Sequence, residues 1–325
     1  MTSTPDPRPH VAILIVNGFR RGGRWAQHNL EEALRYPWID ICLSQIERHS
    51  GAWRYEVFIF DNSHLELHRT LMEKHEQVTI RPHRGLAAVA RLAGRLPVRG
   101  AGRLMERTHP GALDYLARTL PREFDYIVTL DNDSFPVRDD WLDVLVGGCE
   151  AGAALSGVYR DEMAPAIAPF IHVSGLCIRP QDLRALEVSF GQGARPELEH
   201  NQDVGQRITY ELTRRGRTLA PLRRSNALNY HFLMGGLYGD VIYHHGAGSR
   251  KGKFWTSTDR DADQRVNAAL RKAAFADLDG LVATLRGDSP ETFDLPLLDP
   301  GSVAEPSQAQ ATANASSPDV SSPAD

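Results

Sequence analysis

A short buried strand that ends at two carboxylates constrains this chain more than any other stretch. Residues 126–130 are mostly apolar and β-prone without alternation, which is typical of a central parallel strand covered on both faces. Asp131, Asn132 and Asp133 follow at once. Ligand sites of open α/β sheets lie at the carboxyl ends of strands, and carboxylate oxygens suit Mg²⁺ or Mn²⁺. The tripeptide on its own is also typical of a polar turn or a helix cap.

Strands and helices alternate around this stretch. Strands are predicted over 11–16, which runs into Asn17, over 55–60, which runs into Asp61, and over 78–81. A helix is predicted after each of these strands: over 27–48 with a break near Pro37, over 64–74, and from His109 onward. Another helix is expected after Asp140. This alternation predicts an α/β fold with a mostly parallel, doubly wound sheet and helices on both faces.

The second half of the chain has a different rhythm. The sequence predicts a strand over 171–178, a short helix from Pro180, a helix over 201–215, a strand over 241–245 and an amphipathic helix over about 260–286. The segment after about residue 300 is rich in Ser, Ala, Pro, Gln and Asp, which predicts a disordered tail.

Composition excludes several classes of protein. A chain of 325 residues with 42% hydrophobic content can bury a large core, and a formal net charge of −4 is too mild to predict a nucleic-acid partner. Cys42, Cys149 and Cys177 are far apart and form no disulfide pattern, which favours a reducing cytoplasm. We expect no signal peptide, because Pro5, Asp6, Pro7 and Pro9 precede the first apolar run. We expect no transmembrane segment, because no apolar run approaches 18 residues.

The order of these pieces resembles the GT-A fold glycosyltransferases of family 2 type. The resemblance covers about residues 10–255, and its pieces are the strand into Asn17, Phe58-Ile-Phe-Asp61-Asn-Ser63, His109-Pro-Gly-Ala-Leu-Asp114, Leu130-Asp131-Asn132-Asp133, Gln202-Asp203 and the strand into His244. It implies a nucleotide-diphosphate sugar as donor and transfer to an acceptor hydroxyl. It implies a GT-A domain over 10–255, and composition and helical pattern add an N-terminal arm (1–9), a helical extension (256–295) and a tail (296–325).

The resemblance implies a metal site at Asp131, Asp133 and His244. The ion, Mn²⁺ or Mg²⁺, would neutralise the departing diphosphate, and an imidazole ligand favours Mn²⁺. His244 stands two residues before Gly246, as in the family pattern, although His245 stays an alternative. A histidine after a strand is also typical of a protein core.

Further residues are implied to hold the donor. Asp61 would bind its base or ribose, although an aspartate here also suits an Asx-turn. Asn17 and Arg84 are weaker candidates for base contacts, and Asp131 would also reach the sugar or ribose. Arg250 lies in a Gly-rich basic loop that would close over the diphosphate; the alternative is a solvated run of charge.

Asp203 is the implied general base that takes the proton of the acceptor hydroxyl in an inverting reaction. The family pair is Glu-Asp, and this chain has Gln202 instead of the glutamate. A charge near the start of a helix is the alternative role of Asp203. The Gln-x-x-Arg-Trp motif of processive synthases is missing, so transfer of one sugar per encounter is expected.

A basic segment is the basis for predicting the acceptor and the location of the protein. Seven arginines lie between residues 81 and 107, which suits a phosphate-bearing or lipid-linked acceptor or an anionic membrane surface, as well as a solvated basic face. We therefore expect a cytoplasmic protein, free or peripheral at the membrane. Two other functions stay open: a sugar-phosphate nucleotidyltransferase with a related sheet, and a binding protein without activity.

Overall fold

The computed structural model describes residues 8–18, 26–81, 108–162, 164, 168–190, 203–246 and 260–289. The strands in this part of the chain are β1 His10–Asn17, β2 Arg54–Asp61, β3 Val78–Ile80, β4 Tyr126–Asp131, β5 Ser134–Pro136, β6 Leu155–Arg160, β7 Phe170–Ile178, β8 Leu219–Leu222, β9 Gly236–Tyr238 and β10 Ile242–His244. The helices are α1 Ala26–Arg35, α2 Trp38–His49, α3 Glu66–Met72, α4 Thr108–Thr119, α5 Trp141–Glu150, α6 Pro180–Leu186, α7 Gln206–Arg214, α8 Arg260–Ala276 and α9 Leu278–Arg286.

Seven of the described strands form one sheet in the order β3-β2-β1-β4-β7-β6-β8. The pairs β3–β2, β2–β1, β1–β4 and β6–β8 are parallel, whereas β7 is antiparallel to both of its neighbours. A smaller sheet of β5, β10 and β9 is antiparallel. The small sheet begins next to the end of β4, so it extends the fold at the carboxyl edge of the parallel strands.

The strand β1 shows why the large sheet is covered on both faces. Its residues are buried throughout, and successive side chains point to opposite faces. Val11, Ile13 and Ile15 pack in one apolar cluster with α2, α5, α8 and α9. Ala12, Leu14 and Val16 pack in a second cluster with α4, α6 and α7. The predicted fold class, an α/β fold with a mostly parallel sheet and helices on both faces, is therefore confirmed.

Two helix boundaries lie at residues that break or cap a helix. Pro37 separates α1 from α2, as predicted, since proline disfavours a continuing helix. Asp277 separates α8 from α9, where one helix over 260–286 was expected; its side chain accepts a hydrogen bond from the Gly280 amide and caps α9. Both C-terminal helices pack in the same cluster as β1, through residues such as Leu270 and Leu281.

Four strands were not expected from the sequence: β5, β6, β8 and β9. Two of them, β5 and β9, have three residues each, too few for a pattern to be recognised. β8 is a half-buried edge strand of four residues, and Pro221 within it argues against a strand when the sequence is read alone. β6 contains Gly157 at a φ of 145°, where an added Cβ would overlap the Gly175 carbonyl, and this irregular pairing hides its strand pattern.

Candidate functional site

The end of β4 and the strand β10 bring two carboxylates and one imidazole together. The chain turns after Asp131 and continues as β5, which pairs antiparallel with β10 so that Ser134 faces His244. The His245 amide also donates a hydrogen bond of 2.9 Å to the Asp133 carbonyl oxygen. This short sheet therefore carries His244, which is distant in sequence, to the side of Asp133.

Ligand atoms of Asp131, Asp133 and His244 all lie within 4.8 Å of one another. His244 Nε2 is 3.7 Å from Asp131 Oδ2 and 3.8 Å from Asp133 Oδ1, both too far for a hydrogen bond. Two ligands of one ion, with bonds of about 2.1 Å, lie no more than about 4.2 Å apart. The three side chains thus leave room for a divalent cation between them, and these residues could bind a metal.

The electrostatics of the cluster suit a cation. Burial lowers the pKa of His244 well below its usual value, and the positive charge of Arg160 lowers it further. The imidazole is therefore neutral and keeps a lone pair for a metal. Asp131 and Asp133 are two largely buried carboxylates with oxygens within 4.8 Å of each other, and a cation would relieve their mutual repulsion.

The neighbouring histidine points the other way. Along β10 successive side chains alternate between faces, and His245 stacks on Trp38 with ring centroids 4.4 Å apart. Tyr243 and His245 also contact each other, with the hydroxyl 3.2 Å from Nδ1. Gly246 follows at a φ of 71°, where an added Cβ would lie 2.7 Å from the Leu233 carbonyl oxygen, so the turn requires glycine. Of the tandem histidines, the structure directs His244 to the carboxylates and His245 to the core.

Asn132 separates the two carboxylates and ties β4 to β1. Its amide nitrogen donates to Asn17 Oδ1 at 3.2 Å and to the Gly18 carbonyl at 3.3 Å. The buried Asn17 amide in turn donates to Asp61 Oδ1 at 3.0 Å and lies 3.2 Å from His68 Nδ1. One chain of amide hydrogen bonds thus joins the ends of the three parallel strands β4, β1 and β2. These bonds hold Asn17 inside the sheet edge, while its predicted base contact stays a prediction.

Asp61 has one occupied and one open carboxylate oxygen. Its Oδ1 accepts hydrogen bonds from the Ser63 amide at 2.9 Å and the Ser63 hydroxyl at 2.7 Å, besides that from Asn17. This is the Asx-turn geometry that the sequence allowed. None of the described residues donates a hydrogen bond to Oδ2, which can accept one from a ligand. Its predicted contact with the donor stays a prediction.

Two more imidazoles surround Asp131, and the sequence analysis gave neither of them a role. His109 Nε2, at the start of α4, is 3.5 Å from Asp131 Oδ1. His172 Nδ1, on β7, is 3.8 Å from Asp131 Oδ2, and the His172 ring stacks on His244 with centroids 5.5 Å apart. A polar residue in the apolar run of β7 was the available sequence signal for His172.

Asp203 lies on the far side of the His172 ring from the metal ligands. Its Oδ2 is 3.8 Å from His172 Nε2, and its Oδ1 accepts a hydrogen bond of 2.8 Å from the Val204 amide. The residue before α7 is Gly205, and the Asp203 side chain does not cap that helix. The structure therefore brings Asp203 to within one imidazole ring of Asp131, although its neighbour Gln202 lies outside the described residues.

Buried charges at the end of β6 border the same site. Arg160 Nε is 3.0 Å from Glu162 Oε1, and Tyr238 donates its hydroxyl hydrogen to that oxygen at 2.5 Å. Both charged side chains are more than nine-tenths buried. The charge of Arg160 acts on both His244 and Asp203, so it adds positive potential between the two carboxylate groups of the site.

Other predicted features lie outside the described residues. These are Arg84 with most of the basic segment 81–107, Arg250 with its loop, and the N-terminal and C-terminal segments of the predicted domain division. Their roles stay predictions. The three cysteines are free and buried, in agreement with the absence of a disulfide pattern. No helix among the described residues is long and apolar enough to cross a bilayer.

Known proteins resemble this chain in structure but not in sequence. No family model and no curated protein matches this sequence. Among solved structures, 4-diphosphocytidyl-2C-methyl-D-erythritol synthase from Anaerococcus prevotii is 10% identical, with a TM-score of 0.39 over 66% of this chain and 87% of its own. Residues 1–349 of TarS from S. aureus are 10% identical, with a TM-score of 0.35 over 66% and 58%.

The galactosyltransferase LgtC, solved with donor and acceptor sugar analogues, is 11% identical, with a TM-score of 0.40 over 65% of this chain and 73% of its own. The solved structures that resemble this chain thus include glycosyltransferases and a 4-diphosphocytidyl-2C-methyl-D-erythritol synthase. Identity and TM-scores at this level limit each likeness to a coarse resemblance of fold.

Proposed function

We propose that this protein is a metal-dependent glycosyltransferase that moves a sugar from a nucleotide-diphosphate donor to an acceptor hydroxyl, with inversion and one sugar per encounter. The observation that carries the proposal is the pairing of two groups at the carboxyl edge of the sheet. A cluster suited to a divalent cation, Asp131, Asp133 and His244, lies one imidazole ring away from a separate carboxylate, Asp203.

The cation-binding cluster accounts for activation of the leaving group. Asp131, Asp133 and His244 would hold Mn²⁺ or Mg²⁺, and the bound ion would neutralise charge on the departing diphosphate. Two oxygen ligands suit either ion, while the neutral imidazole favours Mn²⁺. Mg²⁺ and Mn²⁺ sites of this kind leave positions for substrate phosphate oxygens, which explains why three protein ligands are enough.

The end of β2 accounts for recognition of the nucleoside. Asp61 is held by Asn17 and Ser63 through one oxygen, which fixes the carboxylate at the end of β2. A carboxylate in this position can accept hydrogen bonds from ribose hydroxyls or from a base N–H. Within this proposal, Asn17 acts by fixing Asp61 and Asn132, while Arg84 and Arg250 supply further donor contacts.

Asp203 accounts for activation of the acceptor. Its carboxylate would take the proton of the acceptor hydroxyl as the oxygen attacks the anomeric carbon and the bond to the diphosphate breaks. The base and the cation must lie on opposite sides of the reacting carbon for in-line displacement. Asp203 and the metal ligands flank the His172 ring from two sides, which is compatible with that arrangement.

Turnover with a panel of nucleotide sugars and hydroxyl acceptors, including lipid-linked and phosphate-bearing ones, tests the proposal. We expect release of nucleoside diphosphate and formation of a glycoside, both lost in EDTA and restored by Mn²⁺. A matched pair of variants, D203N and D263N, controls for unspecific damage. Asp263 is a buried aspartate on α8 that pairs with His231 at 3.0 Å and has no role in the proposed reaction. D203N should lose transfer, whereas folded D263N should retain it.

The same assay separates the competing functions. Release of pyrophosphate from a nucleoside triphosphate and a sugar phosphate would identify a nucleotidyltransferase instead. Binding of nucleoside diphosphate without any turnover over the whole panel would indicate a binding protein. A product with retained anomeric configuration would remove the inverting mechanism and, with it, the role of Asp203 as base.

A further inference from the structure

We infer that His172 is a positioning residue whose Nε2–H faces Asp203, donates a hydrogen bond to it when substrate binds, and fixes the direction in which this carboxylate faces the acceptor. This inference rests on the proposed function and goes beyond it, because it assigns a role to a residue that lies outside the metal ligands and the base. His172 is the third residue of β7, its side chain is buried, and its ring lies between Asp131 and Asp203.

The hydrogen bonds of the ring determine which nitrogen carries the proton. His172 Nδ1 accepts a hydrogen bond of 3.1 Å from the Ser174 amide, and it lies 2.9 Å from the Ser174 hydroxyl, which can also donate to it. A backbone amide can only donate, so Nδ1 is the acceptor and the neutral ring carries its hydrogen on Nε2. Nε2 is the nitrogen that faces Asp203, at 3.8 Å from Oδ2.

The same bonds argue against His172 as a metal ligand. Its Nδ1 is the nitrogen closer to the metal cluster, at 3.8 Å from Asp131 Oδ2, but the Ser174 amide already occupies that lone pair. Its Nε2 carries a hydrogen and points to Asp203. His172 therefore contributes a fixed N–H donor, and the stacked ring of His244 contributes the lone pair to the cluster.

The two oxygens of Asp203 face different neighbours. The Val204 amide donates to Oδ1 at 2.8 Å, and His172 Nε2 faces Oδ2 at 3.8 Å. A hydrogen bond from His172 Nε2 to Oδ2 would fix the plane, and each oxygen would keep a second lone pair for the acceptor proton. Contacts between catalytic groups are often long without substrate and shorten when it binds, which suits a separation of 3.8 Å.

Hydrogen bonds to the backbone of β7 hold the His172 ring in a fixed position beside Asp203. Ser134 donates its hydroxyl hydrogen to the Ser174 carbonyl oxygen, which joins β5 of the small sheet to β7. Thr129 on β4 donates to the Val173 carbonyl at 2.7 Å. His172 is thus held by the same strands that carry Asp131 and Asp133, so the base is placed relative to the metal ligands.

Two variants separate the positioning role from a structural one. H172F keeps an aromatic ring against His244 but has no N–H, and H172Q restores a side-chain N–H donor. We expect kcat to fall about 10- to 100-fold in H172F, the usual cost of losing a partner that orients a functional group, and to recover in part in H172Q. The KM for the donor and the affinity for Mn²⁺ should stay within about twofold of wild type in both variants, because the metal ligands are unchanged.

The double variant H172F/D203N gives the decisive comparison. If His172 acts through Asp203, H172F should cause no further loss of kcat once Asp203 is replaced. An equal loss in both backgrounds, or a loss of Mn²⁺ binding in H172F alone, would overturn the inference and assign His172 to support of the metal cluster.

A readout that needs no turnover keeps this test apart from the proposed function. Nitrogen-15 NMR of the histidine rings should show His172 with an unprotonated Nδ1 and a protonated Nε2, and the Nε2 resonance should shift in D203N. A hydrogen on Nδ1, or an Nε2 resonance indifferent to D203N, would overturn the inference. If the NMR result agrees while no donor is ever turned over, the proposed function fails and the contact between His172 and Asp203 stands.

Discussion

Among the described residues, two clusters contain one histidine and two carboxylates with ligand atoms within 4.8 Å, and they lie at opposite ends of the central strands. The first is Asp131, Asp133 and His244 at the carboxyl edge, called the β4 cluster below. The second consists of His10, Glu56 and Glu123 at the amino edge, called the β1 cluster below. Their side-chain types are nearly the same, so composition alone does not separate them.

The two clusters differ in the burial of their carboxylates and in the hydrogen bonds that hold their side chains in place. The side chains of the β4 cluster are 5–15% exposed, and backbone bonds between β5, β10 and Asp133 hold two of them in register. In the β1 cluster, the Glu56 side chain is 43% exposed and Glu123 is exposed as well. His10 is buried, and its Nε2 lies 3.4 Å from Glu56 Oε1, so the clusters differ in the exposure of their carboxylates and not of their histidines.

This difference indicates that a metal site can be recognised by the electrostatic repulsion its ligands would suffer without a cation. Two buried carboxylates close together repel each other with little solvent to screen them, and a cation removes that cost. Exposed glutamates are solvated and can turn away, so they gain little from an ion. We therefore assign function to the β4 cluster and none to the β1 cluster, and the following predictions test that difference in order of expected effect.

The largest effect is expected for Asp133→Ala in the β4 cluster. Loss of this buried ligand should reduce Mn²⁺-dependent turnover to the level of wild type in EDTA, because the remaining two ligands cannot neutralise the diphosphate. The fold should persist, which circular dichroism can check. Turnover that is unchanged in this variant, or equal with and without EDTA in wild type, would remove the metal from the mechanism.

The next largest effect is expected for Asp203→Asn. The amide keeps the size of the carboxylate but cannot take a proton, so transfer should fall by about 10²–10⁴-fold, the usual contribution of general-base catalysis. Mn²⁺ affinity and binding of nucleoside diphosphate should survive, because Asp61 and the β4 cluster are intact. Calorimetry and single-turnover rates measure the two separately, and near-normal transfer would mean that another group is the base.

A third effect concerns stability against acid at the carboxyl edge. Burial lowers the pKa of His245 to about 3, whereas an unfolded chain protonates this ring near 6.5. Between pH 6.5 and pH 3 the His245 ring binds a proton in the unfolded state but not in the folded state. The free energy of unfolding therefore falls as the pH drops through this range. The contribution of His245 is at most about 1.4 kcal/mol per pH unit.

The variant H245F isolates this contribution, because a phenyl ring can keep the stack on Trp38 without titrating. Urea unfolding of apo protein between pH 7 and pH 4 should show a shallower loss of stability in the variant than in wild type. A parallel pair of profiles would mean that His245 is not the buried neutral imidazole that this structure indicates.

The smallest effect is expected in the β1 cluster. Glu56→Gln should leave turnover and the number of bound Mn²⁺ ions unchanged, since the cluster has no assigned function. Its effect on the free energy of unfolding should stay below about 1 kcal/mol, because one partner of the His10 ion pair is half-exposed. A second bound ion that disappears in this variant would show that exposure does not separate the two clusters.

The sequence predicted the parts of the fold that depend on long patterns. The strands β1, β2, β4 and β7 and the helices that follow them were expected because apolar runs and polar ends alternate over many residues. The small sheet was missed, and with it the reason why His244 reaches Asp133. Three-residue strands are decided by tertiary pairing and leave no periodic signal in the sequence.

The candidate site was predictable only where a residue follows a strand. Asp131, Asp133 and Asp61 could be placed at the sheet edge from the sequence, whereas the choice between His244 and His245 needed the register of β10 with β5. The role of Asn132 as a link to Asn17 and the position of His172 between two carboxylates depend on side-chain directions across three strands. No local pattern encodes such directions.

The most direct test of this account is the set of ligands that Mn²⁺ finds in the protein. Electron spin echo spectroscopy of bound Mn²⁺ detects directly coordinated histidine nitrogen, and the account predicts such coupling in wild type and in H10Q but not in H244Q. H10Q is the matched control because it removes the imidazole of the β1 cluster. Nitrogen coupling that persists in H244Q, or disappears in H10Q, would contradict the assignment of the metal to Asp131, Asp133 and His244.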